Sequence, residues 1–112
     1  MRNLKRVFTN KTGTGLSSEV PRTFLFRGGL RLPVGAKLAL TYGTTITMQL
    51  QGLRVADDTW ETLDEQTWTT GSPKYLHAFG KIHGFRRYRL NITANTDVTV
   101  DTADIGVGVT ED

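Results

Sequence analysis

Apolar and polar residues alternate one for one in several short stretches, the period of a strand with one face buried and one face wet. In residues 36–42, Leu38, Leu40 and Tyr42 fall on one side and Lys37 and Thr41 on the other. In residues 45–51, Ile46, Met48 and Leu50 oppose Thr45, Thr47, Gln49 and Gln51. Between these blocks Gly43-Thr44 reads as a tight hairpin turn. A further block, residues 86–93, sets Tyr88, Leu90 and Ile92 against Arg87, Arg89, Asn91 and Thr93. Ala94-Asn95-Thr96 reads as a turn, after which Val98 and Val100 face inward. Ile105, Val107 and Val109 then alternate with Gly106 and Gly108, a bare second face that suits an edge strand or a close backbone approach.

Weaker strands are predicted over residues 4–9, 24–27, 59–64 and 75–79. Glycine-rich links at residues 11–18, 28–29, 71–73 and 80–84 punctuate them. About eight short strands separated in this way predict an all-β fold, a single antiparallel β-sandwich of jelly-roll-like type, with no helix.

The chain has 112 residues, enough for one domain and too few for two. Residues 12–112 are assigned to the sandwich, and residues 1–11 to a basic N-terminal arm or edge strand. With 38% hydrophobic residues and no cysteine, the core is modest and has no disulfide to reinforce it, so self-association, three-fold by preference, is the expected reinforcement. The net charge of +3 hides an asymmetry. Up to residue 40 the charges are basic apart from Glu19, whereas after Arg89 they are all acidic. Such segments meet either within one fold or across copies. In the first segment Arg2, Lys5, Arg6 and Phe8 combine charge with an apolar anchor, and they are read as partner-binding together with Arg87 and Arg89.

Catalysis finds no support. His77 and His83 lie outside any zinc-protease spacing, and Asp57, Asp58, Glu61, Asp64 and Glu65 lack the glycine of a calcium loop. No phosphate loop or nucleophile elbow occurs. No catalytic residue, metal ligand or cofactor is assigned. The run Arg86-Arg87-Tyr88-Arg89 offers a phosphate grip, but alternation sends Tyr88 into the core and removes the stacking platform, so specific nucleic-acid binding is not expected. No apolar run is long enough to span a membrane or serve as a signal peptide, which places synthesis in a cytoplasm. Trp60, Trp68, Tyr42 and Tyr75 allow a carbohydrate-binding reading. Trp60 lies in the alternating stretch and is assigned to the core, which leaves Trp68 as the ligand-contact aromatic.

The order of these features, Leu38-Ala39-Leu40-Thr41, then Thr45-x-Thr47-x-Gln49-Leu50, Trp60-Glu61-Thr62-Leu63-Asp64, Tyr88-Arg89-Leu90-Asn91-Ile92 and Val98-Thr99-Val100, resembles small virion structural proteins of tailed bacteriophages. The likeness covers residues 30–109. It implies a decoration or cement protein that stabilises the head lattice as a homo-oligomer, contacts capsid or tail proteins, and resides in the virion after synthesis in the host cytoplasm. A tail, neck or fibre component and a carbohydrate-binding module are the alternatives.

Overall fold

Nine strands are divided between two antiparallel sheets in the computed structural model, which describes residues 2–29, 32–41, 43–69, 73–78 and 84–108. They are β1 (Arg2–Lys11), β2 (Gly15–Leu16), β3 (Val20–Pro21), β4 (Val34–Thr41), β5 (Thr45–Arg54), β6 (Trp60–Trp68), β7 (Lys74–His77), β8 (Phe85–Thr96) and β9 (Thr99–Val107). One sheet has the order β1-β9-β4-β7, and the other β2-β8-β5-β6, with β3 also paired to β8. The fold is an antiparallel β-sandwich. Tyr42, Phe79, His83 and Val109, which carried parts of the sequence reading, lie outside the described residues.

The inward sides of the two sheets form one core. Val7, Phe8, Ala36, Leu38, Leu76, Ala103 and Ile105 from the first sheet meet Ile46, Met48, Leu50, Tyr88, Leu90 and Ile92 from the second. The alternation in β5 and β8 is thus the core pattern itself. Each fully buried aliphatic side chain there contributes about 1.5–3 kcal/mol relative to exposure.

Connections depart from the sequence reading in three places. Gly43-Thr44 closes no hairpin, because β4 and β5 belong to different sheets and the link carries the chain across the core. The Thr44 amide donates instead to the Thr96 carbonyl at 3.0 Å. Ala94-Asn95-Thr96 remains within β8, and the chain turns at Asp97, whose φ of 63° is a left-handed value that aspartate tolerates. Asn95 fastens this turn: its Oδ1 accepts from the Val98 amide at 3.0 Å, and its Nδ2 donates to the Val98 and Gly13 carbonyls at 2.9 and 3.0 Å. The glycine-bearing β9 is an inner strand between β1 and β4 and not an edge.

Residues 24–27 do not form a strand. Arg22–Leu25 makes a single helical turn, α1, with Leu25 buried, closed by the Phe26 amide donating to the Arg22 carbonyl at 3.0 Å. Within residues 11–18, β2 pairs with Ile92 and Asn91 of β8.

The N-terminal segment forms the edge strand of its own sheet. Phe8 is 7% exposed and Val7 8%, both in the core. Phe8 is therefore unavailable as a partner contact, since the register shift between Arg6 and Phe8 turns two successive side chains inward. The basic and acidic segments meet within the fold, where β1 pairs with β9 and Arg6 Nε donates to Asp104 at 2.6 Å.

Candidate functional site

The outer face of the five-stranded sheet gathers a set of polar side chains that strand pairing places in rows. Asn91, Gln49 and Glu65 are register partners across β8, β5 and β6. Arg89, Gln51 and Thr62 form the next row, and Arg87, Leu53 and Trp60 the one after. Neighbouring strands lie about 4.8 Å apart, so each row holds its groups at a fixed repeat.

Hydrogen bonds join the rows into one chain. Gln49 Nε2 donates to Glu65 Oε2 at 2.6 Å, and Gln51 Nε2 donates to Gln49 Oε1 at 2.9 Å. Arg89 Nε donates to Gln51 Oε1 at 2.8 Å, and its guanidinium lies over the Trp60 ring, 3.8 Å from the centroid. Asn91 Nδ2 adds a longer contact of 3.4 Å to Gln49 Oε1. Such mutual fixation sets each amide's orientation before any ligand arrives, which lowers the entropic cost of binding. Partial burial pulls the Arg89 guanidinium below its ordinary pKa range, while nearby Glu19 acts in the opposite direction.

Glu65 Oε1, Asn91 Oδ1 and the terminal nitrogens of Arg89 have no hydrogen-bond partner among the described residues. The face thus offers acceptors and donors together, with Arg89 seated on the Trp60 ring. Leu16, opposite Asn91 on β2 and 52% exposed, borders it with apolar surface.

A bulge determines which tryptophan belongs to this face. Leu50 pairs with Asp64 but Gln51 pairs with Thr62, so Leu63 is an extra residue in β6 and the alternation changes phase there. Trp60 consequently lies on the outer face under Arg89. Trp68 lies on the opposite side of β6, partly packed against the core. It lines a separate cleft of about 340 Å³ with Gln66, Pro73, Lys74, Tyr75 and His77 at the open edge between β6 and β7. The Asp64 carboxylate accepts from the His77 amide at 2.8 Å nearby.

The remaining sequence-selected residues are dispersed. Arg2, Lys5 and Arg6 lie on β1, in the other sheet from Arg87 and Arg89 on β8. Lys5 Nζ stands 5.9 Å from the Phe24 ring, and Arg87 pairs with Glu19 at 3.6 Å. Of the six partner-binding residues selected from the sequence, the polar face holds Arg89 and, at its border, Arg87. Gln49, Gln51, Glu65 and Trp60 were not selected, because alternation identifies a wet face but not the strands lying beside it.

No protein-family model and no curated protein matches the chain. Two solved structures align with it. The first comprises the CBM22-1–GH10 modules of endo-1,4-beta-D-xylanase 10B from Clostridium thermocellum, complexed with xylohexaose, at 13% identity and a TM-score of 0.47 over 95% of this chain and 24% of that one. The second is a xylan-binding domain of CBM22, at 14% identity and a TM-score of 0.45, covering 97% of this chain and 85% of that one. The chain thus spans about a quarter of the first structure's length.

These neighbours overturn the resemblance to phage virion proteins, since the structures that align are a xylanase and a xylan-binding domain. The capsid-decoration function, the capsid or tail partners, the three-fold assembly on a lattice and the virion location are withdrawn with it. Among the described residues, no group of three or more His, Cys, Asp or Glu side chains is placed to hold a metal ion, and no helix is long and apolar enough to cross a membrane.

Proposed function

We propose that the protein is a non-catalytic carbohydrate-binding module whose recognition surface is the outer face of the five-stranded sheet. The observation that carries this reading is the hydrogen-bonded chain Glu65–Gln49–Gln51–Arg89 ending on the Trp60 ring. Sugar hydroxyls both donate and accept, so their recognition needs carboxamides, a carboxylate and a guanidinium with spare capacity. The Trp60 ring, covered by Arg89, seats that guanidinium over the face and so fixes the donor at the end of the chain. The repeat of about 4.8 Å between strands is close to the length of one sugar ring, so successive strands address successive residues of an extended glycan. The support for this reading comes from the side chains on this face.

Binding is tested by titrating soluble polysaccharides, xylan included, against the wild type and the variants Trp60→Ala and Gln49→Ala. Binding that falls at least ten-fold in both variants, with unchanged circular dichroism, is the expected result. The chain has two tryptophans. The Trp68 cleft is the alternative seat, and loss of binding on Trp68→Ala but not on Trp60→Ala would move the site there. Absence of binding across a broad glycan panel refutes the proposal.

A further inference from the structure

At the β8 border of the polar face lies a second cavity of different chemistry. It has a volume of about 490 Å³ and is lined by Pro21, Arg22, Thr23, Phe26, Arg86 and Arg87. Three of these six residues are arginines, around a largely buried Phe26. Backbone pairing fixes the arrangement, because Pro21 is the register partner of Arg87 and Arg22 follows directly as the first residue of α1.

The cationic charge is only partly answered within the protein. Arg86 pairs with Asp58, and Arg87 pairs with Glu19 at 3.6 Å, with the side chains of both pairs about half exposed. Exposed pairs of this kind are worth little and exchange readily for a better anion. Arg22 has no ion-pair partner among the described residues. A planar guanidinium binds an oxyanion through paired N–H donors, and three of them in one cleft suit a carboxylate or a sulfate ester.

The cleft is continuous with the proposed binding face. Arg87 occupies the row of Leu53 and Trp60, and Arg89, two residues along the same strand, is the guanidinium of the hydrogen-bonded chain. Two residues of strand span about 6.6 Å, so a glycan lying across the strands at the Arg89 row carries its side substituents to within reach of Arg87 in the next row. We infer that the glycan recognised is anionic, with a carboxylate or sulfate group seated between Arg22 and Arg87. This inference rests on the carbohydrate-binding reading and specifies its ligand class.

The test compares affinity for a neutral xylan, a polyuronate and a sulfated polysaccharide, using the wild type, Arg22→Gln, Arg87→Gln and Lys37→Gln. Lys37 is exposed on β4 of the other sheet, so its substitution removes one charge at a distance. An acidic glycan is expected to bind more tightly than the neutral one, and each cleft variant to lose roughly 10- to 100-fold of that affinity, as for a charged hydrogen bond. Lys37→Gln should lose almost none. The polyuronate and sulfated arms show which oxyanion the cleft prefers, and either supports the inference. Equal affinity for neutral and acidic glycans overturns it and leaves the binding face standing. Equal losses in Lys37→Gln and the cleft variants also overturn it, as generic attraction of polyanions to a basic protein. If no glycan binds at all, the underlying reading fails as well.

Discussion

Tyr88→Phe removes a single oxygen from the centre of the core, and its effect should depend on pH in a defined direction. The Tyr88 side chain is fully buried against Phe85, with ring centroids 6.1 Å apart, and its hydroxyl has no hydrogen-bond partner among the described residues. Burial pushes its pKa up to about 12 from an ordinary 10.0, with Arg22 opposing. A group whose folded pKa is raised contributes stability that is complete below the unfolded value and disappears as pH rises through the folded one. The window is therefore about pH 10 to 12, and two pH units correspond to about 2.7 kcal/mol. Urea unfolding at pH 8, 10 and 11.5 measures it. The wild type should lose about 2 kcal/mol more than Tyr88→Phe between the first and last points. At pH 8 the variant should match the wild type or exceed it by about 1 kcal/mol, because a buried, unsatisfied hydroxyl is itself a cost. Tyrosinate absorbance gives an independent check, since one of the three tyrosines should ionise only as the protein unfolds. Parallel stability curves for the two proteins, or marked destabilisation of Tyr88→Phe at pH 8, would refute the reasoning by showing that the hydroxyl is satisfied.

Two further substitutions test the framework around the site. Phe8→Ala should lower stability by about 3–5 kcal/mol in a denaturant melt, as loss of a core aromatic does; an unchanged melt would make residues 2–11 an appended arm. Asn95→Ala removes the three hydrogen bonds that fasten the Asp97 turn and should cost about 1–3 kcal/mol, read as a lower thermal midpoint with retained β-sheet circular dichroism.

Alternation made the core strands legible because it reports burial directly: Ile46, Met48 and Leu50 in β5, and Tyr88, Leu90 and Ile92 in β8, are all inward. The binding face was legible only as wetness. Gln49 and Gln51 are visibly on the polar side of their strand, but their partners Glu65 and Arg89 are 16 and 38 residues away in sequence. Nothing local states that these strands are adjacent. Trp60 and Trp68 show a sharper limit. Both are even-numbered positions in β6, so strict alternation assigns them to one side, and one inserted residue at Leu63 separates them. The bulge has no residue signature of its own, since leucine is ordinary in either phase.

Gly43 presents the same limit in a form that a substitution can resolve. Short spacing between two alternating blocks, with glycine between them, is equally compatible with a hairpin and with a crossing between sheets. In a hairpin the glycine would serve turn geometry at the surface, and alanine would cost about 1 kcal/mol or less. In the crossing, the backbone of Asp97 and Val98 passes directly over Gly43, where the chain leaves β8 for β9. A Cβ on residue 43 would overlap the Asp97 carbonyl and stand 2.7 Å from the Val98 nitrogen. The obstacle is backbone held by Asn95, so it cannot swing aside as a side chain does. Gly43→Ala should therefore cost more than the roughly 1–3 kcal/mol typical of overpacking, with the loss appearing as a lower urea midpoint at unchanged slope. The double variant Gly43→Ala with Asn95→Ala should recover part of that loss, because a released turn gives way, and the two effects should fall short of additive. A cost below about 1 kcal/mol, or strict additivity, would mean that the two crossings are not packed against each other.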